Sequence, residues 1–253
     1  MSGLEELTIV GTGLVAGVMT STVGVASLLS FPVLVALGLP PVVANASNTV
    51  GMMPAGLTGS FGYRAELREH PAVTATVIAT CAAGAVLGAT LLLALPAGVF
   101  EAVVPWLILG TCLLVGAQPR ISRRLRRTHG DAPTRHVRLS RATTFFSTLV
   151  GVYGGYFGAG SGVMMVAVLG FGSNLEFRVV NALKTLAILA SNLVASLIFV
   201  VVADLDWTAV GLLALGSIVG GYAGARVGRR LNPGVLRALI VLVGVTAALW
   251  MAR

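Results

Sequence analysis

The chain has 253 residues, of which 56% are hydrophobic and 10% are charged, and its mean hydropathy is +0.93. This composition excludes a soluble globular domain, because a chain of this length carries too little polar surface to cover one. Its apolar runs continue for about 20 residues, which a helix needs to cross a hydrocarbon core of about 30 Å, and they lack the period-2 alternation of barrel strands. We therefore predict an all-α polytopic membrane protein.

The net charge of +8 comes largely from arginines that lie between two hydrophobic segments. They are Arg120, Arg123, Arg124, Arg126, Arg127, Arg135, Arg138 and Arg141. In a membrane protein this pattern predicts a cytoplasmic loop held by the positive-inside rule, in contact with anionic lipid of the bilayer. No aromatic residue interleaves with the basic run, so we expect no nucleic-acid partner. The acidic start, with Glu5 and Glu6, argues against a cleaved targeting segment, which would begin with basic residues.

The first apolar segment runs from residue 7 to about residue 39, which is longer than one membrane span. It is interrupted by Gly24, Ser27, Ser30 and Pro32. Because proline in a helix interior removes a backbone hydrogen bond, we predict a broken helix or a re-entrant pair of half-helices here. Further apolar segments follow at residues 42–63, 71–95 and 99–117.

The second half of the chain repeats this plan. A broken segment from about residue 142 to residue 171 is followed by apolar segments at residues 179–203, 207–227 and 233–251. We therefore divide the chain into a first transmembrane repeat at residues 1–117, a basic cytoplasmic linker at 118–141 and a second transmembrane repeat at 142–253. Cys81 and Cys112 both lie inside apolar runs, so we expect buried free thiols rather than a disulfide.

The two halves match in sequence at a constant offset. The stretch from Gly24 to Thr49 recurs from Gly160 to Thr185, each copy having a small-residue run, an apolar stretch and an Asn-Ala-x-x-Thr close. Each end of the first copy lies 136 positions before the corresponding end of the second copy (160 − 24 and 185 − 49). We infer that one ancestral unit was duplicated, and we predict two copies of it around a pseudo-twofold axis.

Two membrane topologies differ in the number of basic residues that they place on the cytoplasmic side. If the halves are inverted, the linker arginines share the cytoplasmic side with the basic residues at positions 64–68, 178–184 and 226–230, and Asp204 and Asp206 lie outside. If each half crosses four times, the basic residues at 178–184 and 226–230 move outside. The inverted arrangement places more of the basic residues on the cytoplasmic side. We therefore predict two inverted structural repeats of about four hydrophobic segments each, each opening with a broken or re-entrant helix, and both termini outside.

Polar and small residues gather at the two interruptions and at the start of the segment that follows each. The candidate substrate-binding residues are Ser21, Thr22, Gly24, Asn45, Asn48 and Thr49 in the first half and Gly160, Ser161, Gly162, Asn181, Lys184 and Thr185 in the second. In secondary transporters with broken helices, half-helix N-termini point positive dipole ends at anionic substrate groups, and glycine lets the backbone approach a ligand. The asparagines and threonines have a second interpretation, as caps of the following helix.

Lys184 is the only lysine in the chain, and it lies close to the start of a long apolar run. A cation there is costly unless it is partnered or functional, so Lys184 is a candidate for attracting an anionic substrate. Two other interpretations are open: the side chain snorkels to the headgroups, or it pairs with Glu176. The equivalent position in the first half is Asn48, so only one half brings a full charge into the proposed site.

These features resemble the TauE/SafE sulfite exporter family of bacterial membrane proteins. The resemblance rests on the two four-segment halves, the glycine-rich openings, the two Ala-x-x-Thr closes and the Gly-x-x-x-Gly pairs, which suit close helix packing. Those pairs are Gly84 with Gly88 and Gly220 with Gly224. The resemblance implies a carrier in the bacterial inner membrane for sulfite, thiosulfate or small sulfonates. One departure is the first opening, which reads Gly-Val-Ala-Ser where the family often has a run of glycines.

The function predicted is secondary transport, as an exporter working by alternating access at the interface of the two repeats. No Cys/His/Asp cluster has metal-binding spacing and no phosphate-binding loop motif occurs, so we expect neither an enzyme nor a metal or other cofactor. Two alternatives from other classes stay open at this point: a non-transporting membrane scaffold or accessory protein, and an anion channel.

Overall fold

A computed structural model describes residues 3–22, 24–61, 63–129, 139–227 and 233–252 of the chain. Within these ranges all regular structure is helical, in twelve helices. In chain order they are α1 (Gly3–Thr22), α2 (Ser27–Ala36), α3 (Pro41–Gly51), α4 (Met53–Phe61), α5 (Arg64–Glu69), α6 (Pro71–Ala94), α7 (Ala97–His129), α8 (Arg141–Tyr156), α9 (Ser161–Gly172), α10 (Phe177–Val202), α11 (Trp207–Val227) and α12 (Pro233–Met251). The predicted all-α fold is confirmed.

Among the described residues, five helices are long and apolar enough to cross a membrane. Their candidate spans are Pro71–Ala94, Ala97–Leu125, Phe177–Val202, Trp207–Gly224 and Gly234–Met251. The helices α2 and α9 are apolar but shorter, with 10 and 12 residues. Since a span needs about 20 residues, each of these two covers only part of the hydrocarbon core.

Helices of the two halves recur in register. The starts of α3 and α10, of α6 and α11, and of α7 and α12 are each separated by 136 positions (177 − 41, 207 − 71 and 233 − 97). The ends of the short helices α2 and α9 have the same separation (172 − 36), whereas their starts differ by 134 positions (161 − 27). By order in its half α1 corresponds to α8, although their starts differ by 138 positions (141 − 3). The order of helices therefore follows the sequence repeat, while the inverted orientation of the halves and the domain boundaries stay predictions.

The closest helix packing joins one half to the other. The first helix of each half packs along a helix of the opposite half, α1 along α11 and α8 along α6. Glycines make this approach possible: a Cβ atom on Gly88 would overlap the carbonyl oxygen of Val152, and one on Gly220 would overlap the carbonyl oxygen of Leu14. The close packing predicted for the Gly-x-x-x-Gly pair in α6 is thus confirmed, since Gly84 likewise faces the backbone of α8 at Thr148.

Aromatic side chains hold α2 of the first half against the end of α8 in the second. The rings of Phe31 and Phe157 meet edge to face, with centroids 5.4 Å apart. Phe100 of α7 packs edge to face on Tyr156, with centroids 5.5 Å apart. Phe31, Phe100 and Phe157 are almost completely buried. This cluster keeps the two helix interruptions within one core.

The basic segment begins inside a helix rather than after one. The helix α7 continues through residue 117 and ends at His129, because arginine and glutamine are good helix formers. Arg120, Arg123, Arg124 and Arg127 are exposed on this extension. The remaining predicted linker residues at 130–138, including Arg135 and Arg138, lie outside the described ranges. Cys81 and Cys112 are free and buried, as predicted.

Candidate functional site

Each half contains a helix interruption at an equivalent glycine. The helix α1 ends at Thr22 before α2 begins, and α8 ends before α9 begins at Ser161. Gly24 has φ +79° and Gly160 has φ +77°, both in the left-handed region that an L-residue rarely adopts. The predicted breaks are therefore confirmed, but Pro32 does not cause the first one, because it lies inside α2.

Two hydroxyl groups hold the second interruption in place. The hydroxyl of Tyr153 donates to the carbonyl oxygen of Ala159 at 2.7 Å. The hydroxyl of Thr111 in α7 lies 2.8 Å from the Tyr153 oxygen, 3.1 Å from the same carbonyl oxygen and 2.8 Å from the carbonyl oxygen of Leu107 in its own helix, so its one proton is shared among them. The Thr111 methyl group also packs on Gly160, where a Cβ atom would overlap it. The sequence analysis missed both hydroxyls, because each lies inside an apolar run without a distinguishing motif.

Removing these two hydroxyls tests how the second interruption is held. We expect Thr111→Val and Tyr153→Phe each to cost about 1 kcal/mol in the free energy of unfolding, since one donor to the Ala159 carbonyl remains. The double variant loses both side-chain donors and is expected to cost about 3 kcal/mol, more than the sum. Chemical unfolding of the purified protein in detergent measures all three. Strictly additive losses would contradict a shared role at this carbonyl.

Equivalent asparagines bond across the two halves. The amide nitrogen of Asn45 in α3 donates to the carbonyl oxygen of Tyr156, at the end of α8, at 3.0 Å. The amide nitrogen of Asn181 in α10 donates to the hydroxyl oxygen of Tyr63, also at 3.0 Å. Each asparagine therefore ties its own helix to the opposite half. Tyr63 is a further residue that the sequence analysis did not select.

The capping interpretation of the asparagines and threonines is wrong. The helices α3 and α10 begin at Pro41 and Phe177, one turn before Asn45 and Asn181, and neither helix has a side-chain N-cap. The threonines bond inward instead: Thr49 donates to the carbonyl oxygen of Asn45 at 2.9 Å, and the corresponding bond in α10 joins Thr185 to Asn181 at 3.1 Å. These threonine hydroxyls are satisfied within their own helices.

Lys184 connects the two interruptions. Its stem lies on Gly162 of α9, where a Cβ atom would be 3.3 Å from Cγ and 3.4 Å from Cδ. Its Nζ atom reaches Gly24 in the first interruption, where a Cβ atom would be 3.5 Å away. The proposed pairing with Glu176 is wrong, because that carboxylate accepts a hydrogen bond from Arg178 at 2.7 Å. Within the described part of the chain, no hydrogen bond or ion pair occupies the Lys184 ammonium.

Asn48 is a buried amide without a partner. It is 1% exposed, and neither its amide nitrogen nor its amide oxygen has a hydrogen-bond partner among the described residues. It shares one face of α3 with Asn45, which bonds to the second interruption, and with Met52, which packs in a cluster with Ala26 beside the first. Asn48 lies about one turn from each of these residues, and we therefore assign it to the region between the two interruptions that Lys184 also reaches. A buried, unpaired amide is rare and requires an explanation such as a missing ligand or water.

The serines and the remaining threonine of the predicted site take other positions. Ser161 begins α9 and is 5% exposed. It lines a narrow crevice together with Cys81, Val150, Ala187, Ile188 and Ser191. Ser21 and Thr22 belong to the last turn of α1, but their side chains lie outside the described part of the structure. We name the group formed by Gly24, Asn48, Gly162 and Lys184 the interruption site.

The interruption site suits a small anion. It offers one cation at Lys184, an unpaired amide at Asn48 and, at Gly24, a positive-φ glycine that the Lys184 ammonium reaches. Residues 7–63 and 142–175, which include α2, α3, α4 and α9, contain no Asp, Glu, Lys or Arg. The lysine charge is therefore set among uncharged segments, where an anionic ligand would compensate it.

Comparison with known proteins gives a family match over nearly the whole chain. A family model described as sulfite exporter TauE/SafE matches residues 9–251. A protein of Sinorhizobium sp named "Probable membrane transporter protein ORF9" is 28% identical over 244 residues, covering 93% of this chain and 87% of the relative. A "Probable membrane transporter protein" of Haemophilus influenzae is 26% identical over 237 residues, covering 91% and 88%. No solved structure matches the chain.

Proposed function

Since the chain belongs to the TauE/SafE sulfite exporter family of multi-pass membrane transporters, we propose that it carries small sulfur-containing anions such as sulfite, thiosulfate or sulfonates, as an exporter. The observation that carries this proposal is the position of Lys184. Its stem lies on the first turn of α9, directly after the second interruption, and its ammonium reaches Gly24 in the first interruption. An unpaired cation there attracts an anion to the place where the two halves meet.

The way the interruption site is built supports alternating access. Its four residues come from both halves, so sliding or rocking of one half against the other opens and closes it. The equivalent bonds from Asn45 and Asn181 cross between the halves, and they are among the polar contacts that such a movement has to exchange. The glycine-lined contacts of α1 with α11 and of α6 with α8 provide smooth surfaces for it.

The basic extension of α7 gives the proposed setting in the membrane. Arg120, Arg123, Arg124 and Arg127 are exposed at the end of a candidate membrane span. Exposed arginines next to a span favour the cytoplasmic side and contact with anionic lipid headgroups. We place the protein in the bacterial inner membrane on this basis.

Flux through liposomes tests the proposed function. The purified full-length chain is reconstituted, the vesicles are loaded with labelled sulfite, and its release into sulfite-free buffer is followed against protein-free vesicles. We expect release that saturates as the internal sulfite concentration rises and that is inhibited by methanesulfonate. Release that rises linearly without saturation would indicate a channel, and release equal to that of empty vesicles would indicate a scaffold.

A further inference from the structure

We propose that the interruption site selects singly charged anions over doubly charged anions of similar size, so that the transported species is hydrogensulfite or a monosulfonate. This inference rests on the proposed function, because it names the charge state of the anion bound at that site. It follows from the charges and hydrogen-bonding groups that surround Lys184 and Asn48.

The charge available at the site is a single positive charge. Lys184 supplies it, and the two interruptions and the helices α2, α3, α4 and α9 contain no charged residue. Ser21, Thr22 and Val23, which precede Gly24, are also uncharged residues. Among the four residues of the interruption site there is therefore no second cation with which to neutralise a dianion.

The carboxylates at the start of α10 and on the helix that packs against it leave that charge uncompensated. The short helix α5 packs against α10 and carries Glu66 and Glu69. Glu69 accepts two hydrogen bonds from Arg178, both at 2.9 Å, and Glu176 accepts a third from the same side chain. Glu66 forms no ion pair with Lys184 among the described residues, since the described ion pairs are those of Arg178, and its buried Oε2 atom has no hydrogen-bond partner there.

A monoanion therefore forms a neutral complex with the site, whereas a dianion leaves one negative charge uncompensated. Among apolar segments of a membrane protein an uncompensated charge is strongly disfavoured, because the surroundings do not solvate it as water does. Methanesulfonate and sulfate have similar size and tetrahedral shape. The net charge of the complex therefore determines which of the two anions binds more tightly.

The amide of Asn48 adds a preference among monoanions. Both its nitrogen donor and its oxygen acceptor lack partners, so a ligand that offers an acceptor and a donor satisfies both. Hydrogensulfite offers both, because it carries one proton along with its oxygens. Sulfite, sulfate and thiosulfate dianions offer only acceptors and leave the amide oxygen unpaired.

Binding to the purified full-length protein in detergent tests the proposal. At neutral pH, we expect methanesulfonate to bind at least about tenfold more tightly than sulfate or thiosulfate, a ratio that one uncompensated charge among uncharged segments readily produces. Equal or tighter binding of sulfate would overturn the proposal. Absence of binding and of flux for every sulfur anion would instead overturn the proposed function, so the two failures are distinguishable.

A charge-gain variant at the equivalent position sharpens the test. Asn48→Lys places a second cation 136 positions before Lys184 (184 − 48), and we expect it to raise the affinity for sulfate relative to methanesulfonate by about tenfold or more. The double variant Asn48→Lys with Lys184→Asn returns the site to one cation and is expected to restore the preference for methanesulfonate. An unchanged preference in a folded Asn48→Lys protein would overturn the proposal, and the wild-type comparison stands if that variant does not fold.

Discussion

Replacement of Lys184 by glutamine is expected to lower the rate of sulfite transport by about thirtyfold or more. Truncating one member of a desolvated charge pair costs about 2–5 kcal/mol, much of it from the partner charge left unpaired. Here the partner is the substrate anion, and the ammonium that would bind it reaches Gly24 from a stem resting on Gly162. Glutamine keeps a similar length and a hydrogen-bond donor but removes the charge, so the loss reports on the charge itself.

The matched control is Arg237→Gln, which removes a different cation from a candidate membrane span. Arg237 lies on α12, and its Nε atom donates to Gln118 of α7 at 3.2 Å, so its charge already has a polar partner within the protein. We expect this variant to transport sulfite at close to the wild-type rate in the same vesicles. A Lys184→Gln protein that is folded and transports at the wild-type rate would show that the lysine does not bind the substrate.

The sequence repeat predicted the positions of both helix interruptions, because local backbone geometry depends on local residue type. Gly24 and Gly160 share an offset, a small-residue context and a positive φ that few residues other than glycine adopt. The helix starts at α3 and α10 follow the same offset. Their first residues were less predictable: Pro41 is suited to the first helical position and starts α3 early enough to bring Asn45 into the helix.

Contacts between distant parts of the chain could not be predicted in this way. Lys184 and Gly24 are neighbours only in the fold, and no pattern in the sequence states which of the other interpretations of that lysine applies. Thr111 and Tyr153 lie in apolar runs where any polar residue has several possible partners. The apolar segment predicted from the sequence ends at residue 117, whereas α7 ends at His129. The change from apolar to polar residues marks the end of the apolar segment but not the end of the helix, because arginine is a good helix former.

Replacement of Gly88 by alanine is expected to disrupt the contact between α6 and α8. A Cβ atom there would overlap the carbonyl oxygen of Val152 and would approach the backbone nitrogen of Tyr156 to 2.7 Å. Because these are backbone atoms, they move only if α8 moves as a whole. Overpacking of this kind costs typically about 1–3 kcal/mol, so we expect the melting temperature in detergent to fall by about 5 °C or more.

The same displacement is expected to reach the second interruption, because the carbonyl oxygen of Tyr156 accepts the hydrogen bond from Asn45. Gly88→Ala should therefore lower sulfite transport together with stability.

Gly110→Ala in α7 is the matched control, since nothing lies within 4 Å of a Cβ atom there and alanine favours a helix. It should keep or slightly raise the melting temperature and leave transport intact. Equal melting temperatures of the Gly88 and Gly110 variants would contradict the close backbone contact between α6 and α8. They would also contradict an effect of that contact on the interruption site through Tyr156.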